Sequence, residues 1–211
     1  MAKSRTGPER KYSLDREDFF ERIDSPEKAY WLGFIAADGG LRSPKHGGGR
    51  RLTLNLSAKD RSHLILLNST LGSSGPLRRW KSRGPNGGYR LTISSAKMCR
   101  DLESHGITPR KTFSLGPPTG IPSRLNLHFI RGYFDGDGSV YFHNYSGRLR
   151  AKITSASLKI LEWIHSILGF GWISSEGNKF HIHFSPRKIY EFMYGSSGVY
   201  LERKKLVFQS Y

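Results

Sequence analysis

Apolar and polar residues follow two rhythms along this chain, and each rhythm occurs twice. From Tyr30 to Ala37 the positions are nearly all apolar, and from Phe129 to Phe134 they are so again, with one arginine among them. Runs of this kind with glycine inside fit helices buried on every side. Each stops at an Asp-Gly pair, Asp38-Gly39 and Asp137-Gly138. Beyond each stop the rhythm changes to strict alternation, the period of a strand with one buried face. Leu52, Leu54 and Leu56 oppose Arg51, Thr53, Asn55 and Ser57, and Leu91 and Ile93 oppose Arg90, Thr92 and Ser94. In the second half Leu149, Ala151 and Ile153 oppose Arg148, Arg150, Lys152 and Thr154.

Turn and cap residues bound the other elements. A short helix is expected over 15–23, and Ser25-Pro26 supplies an N-cap and a first-turn proline for the first buried helix. A strand over 41–45 and a turn over 47–49 precede the strand 51–57. A helix over 59–71, a strand over 77–81, a glycine-rich turn over 84–88, a strand over 89–94 and a helix over 96–104 complete the half. The second half predicts a buried helix over 124–136 and strands over 139–143 and 148–154 around a turn at 144–147. A helix over 157–168 follows, then strands over 170–175 and 179–184 around 176–178, and a helix after Ser185-Pro186. The fold class is therefore α+β, two pseudo-symmetric αββαββα repeats with antiparallel sheets. Residues 1–24 read as an N-terminal extension, 25–113 as the first repeat, 114–123 as a Pro/Gly-rich linker and 124–211 as the second repeat. The two stops lie 137 − 38 = 99 residues apart, a duplicated domain rather than a solenoid.

Small residues indicate how the repeats meet. Gly33 and Ala37 are four apart, as are Gly132 and Gly136, so each pair occupies one helix face and permits close backbone approach. Packing along those faces brings Asp38 and Asp137 to one seam. Glycine after each aspartate suits a left-handed helix exit. Two carboxylates at helix C-termini repel each other and the helix dipoles. A divalent cation would relieve that repulsion, and hard oxygen donors favour magnesium or calcium. Taken singly, each Asp-Gly reads as a helix stop; the repetition makes it a candidate site.

Charge then selects a partner. The 211 residues carry 34 Lys and Arg against 17 Asp and Glu, a net charge of +17, which points to a polyanion. No apolar run has spanning length, and the basic residues are spread over short alternating segments rather than one amphipathic helix, which disfavours a membrane. The N-terminus lacks a secretory apolar core, and a single cysteine, Cys99, leaves no internal disulfide. An intracellular setting is expected. The polar strand faces hold almost no acids but do hold residues that read base edges in a major groove. Candidate DNA contacts are Arg42, Arg51, Thr53, Asn55, Ser57, Arg78, Arg90 and Thr92 in the first half. In the second they are Tyr141, His143, Arg148, Arg150, Lys152, Thr154, His181 and His183. The pair His181 and His183 lacks the further ligands a metal needs and reads as facing DNA or solvent.

Tyr30 to Gly40 and Phe129 to Ser139 resemble the signature helices of the LAGLIDADG homing endonucleases. Gly33, Asp38 and Gly39 match the motif, as do Gly132, Asp137 and Gly138. Asp135 matches an earlier motif aspartate that Ala36 replaces in the first copy. Two residues from Asp137 on a helix, Asp135 is expected to make a local polar contact. The resemblance implies a saddle of two sheets on double-stranded DNA, and a monomer with no obligate protein partner acting on a long asymmetric target. It implies hydrolysis of both strands with short 3′ overhangs, Mg2+ held by Asp38 and Asp137, and Ca2+ supporting binding without cleavage. It also places Lys111 and Lys204 near the scissile phosphates, with Lys205 competing for the second place. A cleavage-inactive DNA-binding protein or an intron RNA maturase on the same fold is the alternative.

Overall fold

A computed structural model describes residues 11–42, 49–81 and 87–210. Helix α1 (Pro26–Asp38) opens the first half, with the Ser25 hydroxyl accepting from the Lys28 amide at 3.3 Å. Strands β1 (Gly39–Arg42) and β2 (Arg51–Ser57), helix α2 (Arg61–Thr70), strands β3 (Arg78–Trp80) and β4 (Gly88–Ser94) and helix α3 (Ala96–Ser104) follow. The second half runs α4 (Asn126–Asp137), β5 (Gly138–Phe142), β6 (Leu149–Ser155), α5 (Leu158–Leu168), β7 (Trp172–Glu176), β8 (Lys179–Phe184) and α6 (Pro186–Tyr194). A final helix, α7 (Glu202–Gln209), extends it. The two sheets are antiparallel and share one topology, β1-β2-β4-β3 and β5-β6-β8-β7.

Each sheet turns its apolar face inward. Leu52, Leu54, Leu56, Leu91 and Ile93 are buried in the first, and Leu149, Ala151, Ile153, Ile182 and Phe184 in the second. Between the halves α1 and α4 pack along their length, with every residue from Ala29 to Ala36 and from Phe129 to Asp135 buried. Glycine sets their separation. A Cβ on Gly33 would lie 1.9 Å from the Phe129 carbonyl oxygen, and one on Gly132 would lie 1.9 Å from that of Tyr30. Gly136 meets the Ala37 methyl in the same way, at 2.3 Å. Positions 30 and 129 are related by the same 99-residue offset as the motifs, so the close approach obeys a pseudo-twofold axis.

Four expectations need correction. Residues 15–21 form successive turns rather than a helix: the Phe19 and Glu21 amides bond only three residues back, to the Arg16 and Asp18 carbonyls, while the Asp15 and Arg16 amides tie the segment to the Gly72 and Leu71 carbonyls at the end of α2. Phe19, Phe20 and Ile23 still enter the core. Helix α7 was not foreseen; its polar sequence gives no amphipathic signal. Gly39 and Gly138 are extended, with φ of −79° and −73°, rather than left-handed. Glycine is needed there for space, since a Cβ would come within 2.6 Å of the Ile35 carbonyl or 2.3 Å of that of Phe134. Asp135 does not stay local to its own helix, because it accepts from Tyr30 of α1 at 2.8 Å. The expected strand end at 43–45, most of the 47–49 turn and most of the 84–88 turn lie outside the described residues. Among the described residues no helix is long and apolar enough to cross a membrane.

Candidate active site and nucleic-acid interface

Helices α1 and α4 deliver Asp38 and Asp137 to adjacent points at the end of the seam. The Asp38 carboxyl is pushed up to about 6, first by burial and then by repulsion from Asp137. Burial also raises Asp137, against the opposing pull of Lys111, a hydrogen bond from Tyr133 and the pull of Lys204. Among the described residues no donor bonds the Asp38 side chain. Half-buried carboxylates that repel one another and lack full hydrogen-bonding are poised for a cation.

Two lysines flank the pair, each seated on the carbonyls that close one seam helix. Lys111, in a 3-10 turn spanning Lys111–Phe113, donates from Nζ to the Ala37 oxygen at 3.4 Å and to the Gly39 oxygen. Lys204, on α7, donates to the oxygens of Phe134 at 2.7 Å, Asp135 at 2.5 Å and Gly136 at 3.3 Å. An ammonium at a helix C-terminus offsets the negative dipole end. Burial lowers both lysines, Lys204 to about 8. The pairing between charges is crossed. Lys204 of the second half acts on Asp38 more strongly than Lys111 does, whereas Lys111 acts more strongly on Asp137. Lys205 lies apart from this group, its Nζ 4.1 Å from the centre of the Tyr200 ring.

The donor set suits a hard divalent ion: two carboxylates and no sulfur or imidazole. Among the described residues no group of three or more His, Cys, Asp or Glu side chains could hold a metal. Further ligands would therefore come from outside the side chains, from phosphate or water.

The polar faces begin directly beyond the aspartates. Strand register groups Arg42 with Arg51, Thr53 with Thr92, and Asn55 with Arg90 and Arg78, so these residues share one face. Arg90 donates from Nε to Asn55 Oδ1 at 2.7 Å. The Ser57 hydroxyl is engaged in its own turn, accepting from the Lys59 amide at 3.4 Å. On the second sheet Tyr141 stands opposite Arg150, Lys152 opposite His183, and Thr154 opposite His181. Arg148 lies just before β6 in an exposed loop, and the nearby His143 shares a hydrogen bond with Ser146 at 3.1 Å. His181 departs from expectation. It is only 6% exposed, held by Thr154 at 2.9 Å with Glu176 3.5 Å away, so it lies on the polar face but is covered by its neighbours. His183 remains partly open, bonded to Ser174 at 2.9 Å and stacked on Trp172 with centroids 4.9 Å apart.

Sequence reading missed three residues of this region. Tyr133, one helical turn before Asp137, could have been found by its spacing alone. Trp172 is 55% exposed on the edge strand β7. Its alternation with Ser174 was masked by the neighbouring Ser175. Asp60 is buried and grips Arg203 of α7 through two hydrogen bonds, at 2.8 and 2.9 Å, a contact no local pattern reveals.

Comparison with known proteins bears on the fold. Residues 124–183 match the family described as LAGLIDADG-like domain. The LAGLIDADG meganuclease I-AabMI, bound to uncleaved DNA, superposes with a TM-score of 0.59 at 15% identity, over 88% of this chain and 89% of that one. I-SmaMI bound to an uncleaved DNA target in the presence of calcium gives 0.53 at 18% identity, over 88% and 92%. The same endonuclease bound to cleaved DNA gives 0.53 at 18% identity, over 88% and 86%. No curated protein matches the sequence. The chain therefore has the LAGLIDADG homing endonuclease fold, with the second half carrying the LAGLIDADG-like domain. Both motif copies stand in a single polypeptide.

Proposed function

We propose that this chain is a site-specific double-strand DNA endonuclease in which Asp38 and Asp137 hold divalent cations, Mg2+ for cutting, against one scissile phosphate of each strand. The observation that carries the reading is the half-buried aspartate pair at the end of the seam, flanked by two lysines seated on the closing carbonyls of the seam helices. Bound cations would supply Lewis-acid stabilisation of the attacking and leaving oxygens. The chain's own groups do the rest. Lys111 and Lys204, fixed on helix-end carbonyls, face the charge that develops on the phosphoryl oxygens. The basic sheet faces take the flanking duplex and set its register. Those faces share Arg and Thr but differ otherwise, the first adding Asn and the second Tyr, His, Lys and Trp, which suits a long target without twofold symmetry and a monomeric enzyme. The I-SmaMI complex with uncleaved DNA and calcium supports the expectation that Ca2+ permits binding without cutting.

Selection on a randomised duplex library, with Mg2+ in one arm and Ca2+ in the other, tests this directly. Mg2+ should yield cut ends with short 3′ overhangs, and Ca2+ should yield retained intact duplex. Asp38→Asn and Asp137→Asn should bind and fail to cut. Wild-type cutting of both strands by either variant overturns the assignment, and retention without cutting in Mg2+ favours a protein that only binds.

A further inference from the structure

Lys204 rides on a helix that buries little apolar surface. Within α7 only Lys204 and Phe208 are buried, and Leu206 is 53% exposed. Polar anchors hold the helix instead. The Leu201 amide at its start donates to Asp135 Oδ2 at 2.6 Å, and the Lys204 ammonium sits on the α4 carbonyls. Between them Arg203 reaches into the first half, donating Nε and Nη2 to the two oxygens of Asp60 at 2.8 and 2.9 Å. A planar two-point contact fixes direction as well as distance. Asp60 is itself buried at the end of a 3-10 turn leading into α2, so the anchor point is rigid. Arg203 and Lys204 are neighbours, and fixing one orients the other.

The first half lacks this device. Arg110 precedes Lys111 as Arg203 precedes Lys204, but among the described residues Arg110 makes no ion pair. It takes a left-handed conformation, φ 61°, and leads into the 3-10 turn that carries Lys111. Ala36 stands where Asp135 stands in the other copy.

We propose that Asp60 is a positioning residue: through the Arg203 fork it sets α7 and places the Lys204 ammonium, so that one strand's cleavage depends on a contact the other strand's cleavage does not use. The inference rests on the endonuclease reading, with one lysine serving each scissile phosphate.

Single-turnover cutting of a duplex labelled on each strand tests it. Lys111→Ala and Lys204→Ala should slow opposite strands and so define the two patterns. Asp60→Asn should reproduce the Lys204→Ala pattern, slowing that strand by about tenfold to a hundredfold and leaving the other nearly unchanged. Nicked duplex should accumulate, with DNA affinity retained. Asp60→Glu, which keeps the carboxylate, should recover part of the lost rate. Should Asp60→Asn melt too low to assay, Arg203→Lys keeps the charge, loses the fork and gives the same readout. Equal slowing of both strands marks a merely structural contact and overturns the proposal, as does the Lys111→Ala pattern. If neither lysine variant shows a strand bias, the lysine assignment is wrong and the inference falls with it.

Discussion

Replacing Asp38 with asparagine should abolish cutting and, in the absence of metal, make the protein more stable. Folding moves this carboxyl from its ordinary 3.8 to about 6, because burial and Asp137 both oppose its charge. A shift of about 2 units at ~1.36 kcal/mol each is worth about 3 kcal/mol at most. The side chain is partly exposed, solvent and salt screen the repulsion, and the amide keeps polar atoms of its own. About 1–2 kcal/mol should remain. For a chain of this size each kcal/mol moves the melting temperature by about 2–4 °C, so Asp38→Asn should melt about 2–8 °C higher. The sign follows from the direction of the shift. Below pH 3.8 the carboxyl is protonated in both states and costs nothing; the penalty grows as pH rises through 6 and is constant beyond. The advantage of the variant should therefore be full at pH 8 and shrink toward pH 4.5. Calcium should raise the wild-type melting temperature by binding the folded state and narrow the gap. Thermal melts in EDTA and in calcium across this pH range read all three effects. A variant that melts below wild type in EDTA at pH 8, or a gap that ignores pH, refutes the account of the aspartate pair.

Two further outcomes follow from the geometry. Gly132→Ala, whose Cβ would lie 1.9 Å from the Tyr30 carbonyl oxygen, should cost at least about 3 kcal/mol in denaturant unfolding, whereas Gly40→Ala, with its nearest atom at 3.8 Å, should be nearly neutral. Asn55→Ala removes an exposed amide on the proposed DNA-facing side and the acceptor that holds Arg90. It should relax discrimination at one position of the target by about 1–3 kcal/mol in competition binding, while Lys152→Ala should weaken all sequences alike and lower the salt slope by about 1.

The parts of the fold that were legible in sequence are those with short-range causes. Alternation placed β2, β4 and β6 because one face of each strand is Leu, Ile or Ala and the other is not. The small residues at 33, 37, 132 and 136 announced a close crossing because nothing else explains their spacing within apolar runs. What was not legible depends on partners distant in sequence. Residues 15–21 are tied at Asp15 and Arg16 to the end of α2 and close on themselves in three-residue turns, a shape their local helical pattern does not decide. Helix α7 follows from Asp60 and Asp135, 143 and 66 residues from the groups they hold. His181 carries the pattern of an exposed strand residue but is covered by neighbours on two adjoining strands. The aspartates and lysines could be proposed from sequence, yet the carbonyls on which Lys111 and Lys204 rest could not, since those contacts join segments about 70 residues apart.

The hydrogen bonds around Asp135 bear on whether the repeats are interchangeable. Its carboxylate takes hydroxyls from Tyr30 and Tyr194, and Tyr30 also contacts His63 at 2.8 Å. The position corresponding to Tyr30 in the second repeat is Phe129, and that corresponding to Asp135 in the first is Ala36. A symmetric protein made from two copies of the second repeat would bury a carboxylate facing a phenyl ring, and one made from two first repeats would leave the Tyr30 hydroxyl with His63 alone. Chimeras that graft either repeat onto a foreign companion must carry Tyr30, His63 and Asp135 as one transferable unit.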